Sequence, residues 1–283
     1  MRQTMQIKAR AKINWTLDVV GRRPDGYHLL DMLMQPLALH DTLRIEPAEG
    51  LSLSIEGADG LSAGVDNLIL RAAKALREAA GISAGAAIRL TKRIPIGAGL
   101  GGGSADAAAA LKGLNALWQS GFCLEELCAI GVKLGADIPF CLHDAPRRAQ
   151  GVGEILSPIR SHVFPLVLVQ PCEALSTREV FAAYHQAHIA PPDTEKAAQA
   201  LAAGDLAALK AAAGNVLESA SVALRPQITE AKEALYRAGA AFAQMTGSGS
   251  VVFGVFENGT SADSAFEMLK NIYPVCLRTQ TAL

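Results

Sequence analysis

The sequence predicts an α/β protein of two domains, and three observations support that prediction. The chain has 283 residues, half of them hydrophobic, which is enough apolar material for two modest cores. In its first half, a predicted strand leads into a glycine-rich loop and then into an alanine-rich helix. In its second half, apart from an alanine-rich helical insert, strands and helices follow the order β-α-β-β-α-β, typical of a ferredoxin-like domain. The character changes after Ser157-Pro158, so the predicted domains are residues 1–157 and 158–283.

Alternating apolar and polar positions predict the strands, and apolar residues at helical spacing predict the helices. Asp66 is the expected cap of the first helix, which Gly81 ends. In the first half we predict strands at 5–20, 40–45, 51–55 and 87–93, and helices at 67–80, after residue 104 and at 124–134. In the second half we predict strands at 165–170, 241–245, 251–256 and 275–278, and helices at 178–184, 196–223 with two glycine breaks, 226–238 and 261–270.

Composition disfavours several classes of protein. The formal net charge of −1 offers no field for a nucleic acid, and the short basic pairs, such as Lys92-Arg93, are expected to be solvated surface. No apolar run approaches the roughly 20 residues that span a bilayer, and the basic start leads into no apolar segment, so we expect a cytoplasmic protein. The five cysteines lack C-x-x-C spacing and are expected to be buried thiols.

The glycine-rich stretch from Ile94 to Asp106 predicts a phosphate-binding site. Glycines allow positive φ and a close approach of backbone N–H groups to a ligand, and a helix start offers unpaired N–H donors. Ser104 is a candidate ligand for a phosphate or for Mg²⁺, and we predict no other metal ligand. The residues expected to hold the phosphates are Pro95, Ile96, Gly97, Ala98, Gly99, Leu100, Gly101, Gly102, Gly103, Ser104 and Ala105.

Three known glycine-loop chemistries fit this stretch less well. Gly97, Gly99 and Gly102 satisfy G-x-G-x-x-G, but helix follows helix, so the second strand and acidic residue of a dinucleotide site are missing. In the Walker pattern Gly103 stands where the lysine should be. The H-R-D and D-F-G segments of protein kinases are absent.

A loop without its own lysine needs a cation from elsewhere in the chain. Lys12 is the candidate, on a predicted strand that points Lys12 and Asn14 to one face. Asp137 has two interpretations: the N-cap of a helix that Pro139 begins, or a carboxylate that accepts a proton from an attacking hydroxyl.

The run from Pro95 to Ala105 resembles the central motif of the galactokinase, homoserine kinase, mevalonate kinase and phosphomevalonate kinase (GHMP) superfamily. This resemblance implies an N-terminal ribosomal-protein-S5-domain-2-like domain, a ferredoxin-like C-terminal domain, and ATP and Mg²⁺ as cofactors. It also implies that Lys12 and Asp137 form a catalytic pair, that Asn67 lies near the adenine, and that the glycine turn Thr246–Ser250 packs over the phosphate loop. The segment 143–150 departs from the family pattern, and its geometry is not predicted.

Further motifs narrow the resemblance to the branch that phosphorylates a diphosphocytidyl-methylerythritol alcohol to its 2-phosphate in the non-mevalonate isoprenoid route. They are A-K-I-N, G-R-R-P-D-G-Y-H, G-A-D-I-P and S-T-R-E-V-F. By this resemblance Tyr27 and Phe181 stack on a cytosine ring, His28 binds its polar edge, and Thr177 meets the methylerythritol; Asn14 is a further substrate residue. The alternatives are a sister kinase for homoserine or mevalonate and a non-catalytic nucleotide-binding protein, and monomer and homodimer both stay open.

Overall fold

The computed structural model describes residues 4–184 and 190–283, which form two compact units. The first unit contains Met1–Ala11, Leu39–Ile94 and Gly101–Asp144. The second unit contains Lys12–Ala38, Pro95–Leu100 and Ala145–Leu283. Each unit is therefore assembled from segments that are distant in sequence. The predicted domain boundary between residues 157 and 158 stays a prediction.

The sheet of the first unit forms where the sequence alternates. The strands are β1 (Met5–Arg22), β2 (His28–Ala48), β3 (Leu51–Glu56) and β4 (Gly85–Thr91). Strand β2 pairs antiparallel with β4, so that Leu43 lies opposite Leu90, and β3 pairs parallel with β4. Strands β1 and β2 are long and contribute residues to both units.

Four helices cover this sheet and share one apolar core with it. They are α1 (Leu68–Ala80), α2 (Gly102–Leu117), α3 (Leu124–Gly131) and α4 (Ile138–His143). Gly81 ends α1 at φ 64°, as predicted. The predicted cap Asp66 is wrong by one residue, because the Asn67 side chain accepts the hydrogen bond from Ile69 N. The small residues of α2 allow close packing: a Cβ on Gly113 would lie 2.3 Å from Ile7 Cδ1.

The second unit holds a four-stranded antiparallel sheet of β7 (Pro165–Gln170), β9 (Phe242–Met245), β10 (Val252–Val255) and β11 (Val275–Gln280). Their order across the sheet is β11-β7-β10-β9. Numbered along the chain, that is the order 4-1-3-2, and helices follow the first and third strands. This confirms the predicted ferredoxin-like arrangement. Trp15 packs edge-on against Phe164 and Phe253 in the core of this unit.

Among the residues that the structure describes, three further strands and six helices belong to the second unit. Gly204 at φ 69° ends one alanine-rich helix, and Asp205 caps the next, which confirms the first predicted break. The strands are β5 (Arg147–Gly151) against β2, β6 (Ile155–Pro158) against β5, and β8 (Gly214–Asn215) against β1. The helices are α5 (Thr177–Ala183), α6 (Thr194–Ala203), α7 (Leu206–Ala212), α8 (Glu218–Leu224), α9 (Gln227–Arg237) and α10 (Gly259–Leu269).

Two further observations concern the helices and the cysteines. None of the described helices is both long and apolar enough to cross a bilayer. All five cysteines are free thiols, but the prediction that they are buried is wrong. Cys123 is exposed because it occupies the N-cap of α3, where its backbone N–H donates to Glu126, and the other four are partly exposed.

Candidate active site

The glycine-rich loop has the backbone of an anion cradle. Gly97, Gly99 and Gly101 have φ angles of 66°, 77° and 69°, which a residue with a Cβ rarely adopts. Helix α2 begins directly after them, and Gly101 caps it without any side-chain hydrogen bond. The N–H groups of the first turn therefore have no partner within the helix, and they carry the positive end of its dipole. Such a helix start binds phosphate groups.

Within the second unit, the glycine turn Thr246–Ser250 packs against the loop. Val251 N donates to Ala98 O at 3.4 Å. A Cβ on Gly99 would lie 2.4 Å from Thr246 O, so only glycine fits at this contact. Asn215 supports the turn from below, because its Nδ2 donates to Met245 O at 3.0 Å and to Gly247 O at 2.8 Å. The loop and the turn thus form one hydrogen-bonded layer.

Lys12 lies beside this layer, on β1. Its Nζ donates to Gly99 O and to Asn14 Oδ1, each at 2.8 Å, and its side chain is buried. Asn14 is held in turn by Thr246, whose Oγ1 donates to Asn14 Oδ1 at 3.3 Å. The predicted common face of Lys12 and Asn14 is therefore present, and it points at the phosphate loop. Lys12 thus places its side-chain nitrogen at the loop, and a role in binding phosphate stays a prediction.

Asp137 stands at the N-cap position of α4, with Pro139 in the first turn. Its backbone has φ −81° and ψ −10°, and its side chain makes no capping hydrogen bond. The structure therefore places Asp137 at the helix start, but its side chain does not act as the cap. A catalytic role for that carboxylate stays a prediction.

A buried ion cluster in the first unit was missed by the sequence analysis. Lys92 Nζ lies 2.5 Å from Asp41 Oδ2 and 2.8 Å from Asp106 Oδ2, with all three side chains at most 5% exposed. Asp41 Oδ1 also accepts hydrogen bonds from the backbone N–H groups of Arg93 and Ile94. The expectation that Lys92 is solvated surface is wrong, because two carboxylates compensate its burial. A signal was available: Asp106 stands among consecutive alanines of a buried helix.

The side chain of Asp106 is buried and shares the Lys92 ammonium with a second carboxyl group, that of Asp41. Burial raises the pKa of Asp106 to about 7, against the attraction of Lys92 and together with the negative charge of Asp41. Asp106 Oδ1 is buried and has no hydrogen-bond partner among the described residues.

The residues predicted to bind a cytosine are partly brought together. His28 stacks on Phe181 with ring centroids 4.8 Å apart and an interplanar angle of 21°, and Tyr184 meets His28 edge-on. Burial, followed by the positive charge of Arg22, lowers the pKa of His28, so its ring is the neutral form at pH 7. Tyr27 is 65% exposed and makes no ring contact with this group.

Two further predicted residues have clear structural partners. Thr177 Oγ1 lies 2.9 Å from Ser248 Oγ, which ties the start of α5 to the glycine turn. Asn67 caps α1, and its Nδ2 donates to Ser62 O at 2.7 Å. Contacts of Thr177 with a substrate and of Asn67 with adenine stay predictions.

Comparison with known proteins first defines the class. Residues 67–145 match the family described as "GHMP kinases N terminal domain", and residues 197–275 match "GHMP kinases C terminal". Together these matches cover more than half of the chain. The chain is therefore a small-molecule kinase of the GHMP class. The glycine loop and the ferredoxin-like sheet described above agree with this class.

Curated relatives narrow the class. The chain is 47% identical over 262 residues to the 4-diphosphocytidyl-2-C-methyl-D-erythritol kinase of Pelotomaculum thermopropionicum, covering 90% of each chain. It is 40% identical to the kinase of the same name from Acetivibrio thermocellus, covering 99% of each. The chain belongs to the 4-diphosphocytidyl-2-C-methyl-D-erythritol kinase family within the GHMP kinases.

Solved structures agree with this membership. A crystal structure of a 4-(cytidine 5'-diphospho)-2C-methyl-D-erythritol kinase matches with a TM-score of 0.85 and 36% identity, covering 99% of this chain and 100% of that one. The homoserine kinase of Cytophaga hutchinsonii matches with a TM-score of 0.80 but only 18% identity, covering 100% of this chain and 96% of that one. The second likeness concerns the fold alone.

Proposed function

We propose that this protein transfers the γ-phosphate of ATP to a hydroxyl of 4-diphosphocytidyl-2-C-methyl-D-erythritol and so forms its 2-phosphate. The observation that carries the proposal is the glycine cradle at the start of α2, in a chain whose curated relatives have this substrate in their names. The hydroxyl oxygen attacks the γ-phosphorus, and the bond from that phosphorus to the β,γ-bridging oxygen breaks. ADP leaves, and the hydroxyl proton passes to a base.

The phosphates of ATP would lie on the backbone N–H groups of the loop and of the first turn of α2. The N–H groups of the loop are held in place by glycine backbone in the left-handed region and by the contacts of Gly99 with the Thr246–Ser250 turn. Preorganised donors lower the barrier because they need not rearrange as charge develops in the transition state. Asn67, at the start of α1, is the proposed neighbour of the adenine.

Mg²⁺ is proposed as the companion of ATP. The described residues contain no group of three or more His, Cys, Asp or Glu side chains placed to hold a metal ion. This donor set suits a Mg²⁺ held chiefly by phosphate oxygens, with the Ser104 hydroxyl as the proposed protein ligand. When bound, Mg²⁺ neutralises negative charge on the phosphate oxygens.

Lys12 and Asp137 are the proposed catalytic residues. The Lys12 ammonium would stabilise negative charge on the transferring phosphate, and its contact with Gly99 O supports this role by holding it at the loop. Asp137 would accept or orient the proton of the attacking hydroxyl. The G-A-D-I-P segment that contains Asp137, which resembles the family's motif for this residue, supports this assignment.

The cytosine ring is proposed to bind to His28, Phe181 and Tyr27. Further proposed contacts with the substrate are Asn14 and Thr177. A pyrimidine offers a flat face for stacking and a polar edge for hydrogen bonds. The stacked pair of His28 and Phe181 supports an aromatic subsite, and a neutral His28 ring has one donor and one acceptor nitrogen for the edge. A small aliphatic alcohol would need none of these rings.

The proposal is tested by the release of ADP with ATP and Mg²⁺ against four acceptors. They are 4-diphosphocytidyl-2-C-methyl-D-erythritol, homoserine, mevalonate and galactose. We expect turnover with the cytidyl compound alone. Turnover with homoserine or mevalonate instead would assign a sister kinase, and nucleotide binding without turnover would assign a non-catalytic protein.

A further inference from the structure

The ion cluster of Asp41, Lys92 and Asp106 lies where the phosphate loop begins and ends. Lys92 directly follows β4 and precedes the loop, while Asp106 belongs to the first turns of α2, into which the loop opens. Asp41 reaches the same point from β2 and accepts the backbone N–H groups of Arg93 and Ile94, at 2.5 and 2.8 Å. One ammonium and two carboxylates thus join three elements of the first unit.

The cluster is in close contact with the helix start itself. A Cβ on Gly102 would lie 3.0 Å from Lys92 Nζ and 3.0 Å from Ile94 Cγ2. The Lys92 ammonium therefore sits against the backbone of the first residue of α2. Lys92 is shielded from solvent, and its ammonium pairs with two carboxyl groups.

We propose that Lys92 is a positioning residue for the phosphate cradle: by binding Asp41 and Asp106 together, it sets the first turn of α2 against the end of β4. The proposal rests on the proposed binding of ATP phosphates at this helix start. Lys92 acts through the N–H groups that it positions. A buried ion cluster often stabilises a fold no more than hydrophobic residues of similar size would, because removing the charges from water is costly. Stability alone therefore does not explain this cluster, whereas a role in positioning α2 does.

The most direct variant is Asp106→Ala. It breaks the link to α2 but leaves Asp41 and Lys92 as a balanced pair, and it places the best helix former in an alanine-rich helix, so the fold is kept. Lys92→Met is a second variant, which removes the shared cation. Asp106→Asn is a third, which keeps the shape of the side chain and a weaker hydrogen bond.

The readout compares ADP with AMP by isothermal titration calorimetry. Only ADP carries a second phosphate, so displacement of the cradle should weaken the binding of ADP without affecting the binding of AMP. We expect ADP to bind about tenfold or more weakly to Asp106→Ala and Lys92→Met, because small displacements of positioned groups have effects of this size. The Asp106→Asn variant should fall between these and the unsubstituted protein. In kinetics, the KM for ATP should rise while the KM for the acceptor stays constant.

A core variant controls for loss of stability. Leu76→Ala removes a fully buried side chain of α1 that belongs to the same core but not to the ion cluster. It should lower the urea midpoint without changing the ratio of ADP to AMP affinity. A merely structural role for Lys92 predicts that its variants behave like Leu76→Ala.

An unchanged ADP affinity in folded Asp106→Ala and Lys92→Met would overturn the proposal, and so would an equal loss for ADP and AMP. The calorimetry needs no acceptor, so it decides this point even if the cytidyl compound is not a substrate. Failure of the proposed function would instead appear as a lack of phosphoryl transfer by the unsubstituted protein.

Discussion

Among single residues, Asp137 offers the clearest test of the chemistry. We predict that Asp137→Asn lowers kcat by about 10² to 10⁴, the usual contribution of a positioned base, with little change in the KM for ATP. The fold should be kept, since Asn has nearly the same size and shape as Asp. Steady-state kinetics and a melting curve check both parts. An Asn variant with normal turnover would remove Asp137 from the mechanism.

Asp106 makes stability depend on pH. Its pKa is raised from the ordinary 3.8 to about 7, so the folded protein holds a proton that the unfolded chain releases. The stability from the protonated carboxyl is complete below about pH 4 and is lost as the pH rises through about 7. We therefore predict that the protein loses stability relative to Asp106→Asn between pH 5 and pH 8. Urea midpoints at the two pH values measure this.

The exposed carboxyl of Asp59 supplies the matched control for that titration. Asp59→Asn should shift the urea midpoint by the same amount at both pH values. A stability difference between the protein and Asp106→Asn that is constant from pH 5 to pH 8 would contradict the assigned protonation of Asp106.

The positions of single side chains were predictable where the local periodicity of the sequence determines them. Lys12 and Asn14 share a face because strand periodicity requires it, and their hydrogen bond confirms that geometry. The cluster of Asp41, Lys92 and Asp106 was not predictable in this way. Its members come from three elements, and nothing local to Lys92 reveals that a strand and a helix bring carboxylates to it.

At the scale of elements, the loop between β4 and α2 depends on glycine at its tightest contact. Gly99 has φ 77°, and its α-carbon faces Thr246 O, a backbone atom that cannot rotate away. We predict that Gly99→Ala raises the KM for ATP by about tenfold or more, since the left-handed backbone alone costs about 1 kcal/mol and the contact adds to it. Kinetics at varied ATP concentration checks this.

The control for this substitution is Gly50→Ala. An added Cβ there meets nothing within 4 Å, and its φ is not in the left-handed region. Its KM for ATP should equal that of the unsubstituted protein. If Gly99→Ala and Gly50→Ala behave alike, the close packing of the loop against the glycine turn has no part in ATP binding.

Helices and strands were predictable where their apolar residues follow either the helical or the strand periodicity throughout. Helix α1 and strand β7 lie where spacing predicted them. The first part of β2 was missed because Met32–Leu37 is buried on both faces and therefore does not alternate. Strands β5 and β6 were missed because both are short, and β5 is also largely polar.

At the scale of the whole molecule, the sequence predicts the fold class well but not the assembly of the units. The order of elements from residue 165 onward is that of a ferredoxin-like domain, and the sheet confirms it. The interleaving of Lys12–Ala38 and Pro95–Leu100 with Ala145–Leu283 follows from long-range pairing, which local periodicity does not encode. The substrate, likewise, followed from motif resemblance and not from composition or spacing.

The central claim is phosphoryl transfer from ATP to a hydroxyl of the cytidyl substrate, and phosphorus NMR of one reaction mixture tests it most directly. With ATP, Mg²⁺ and 4-diphosphocytidyl-2-C-methyl-D-erythritol, we predict signals of ADP and a new phosphomonoester in equal amounts, with the diphosphate bridge of the substrate intact. Inorganic phosphate in place of the phosphomonoester, or an unchanged spectrum, would contradict the account.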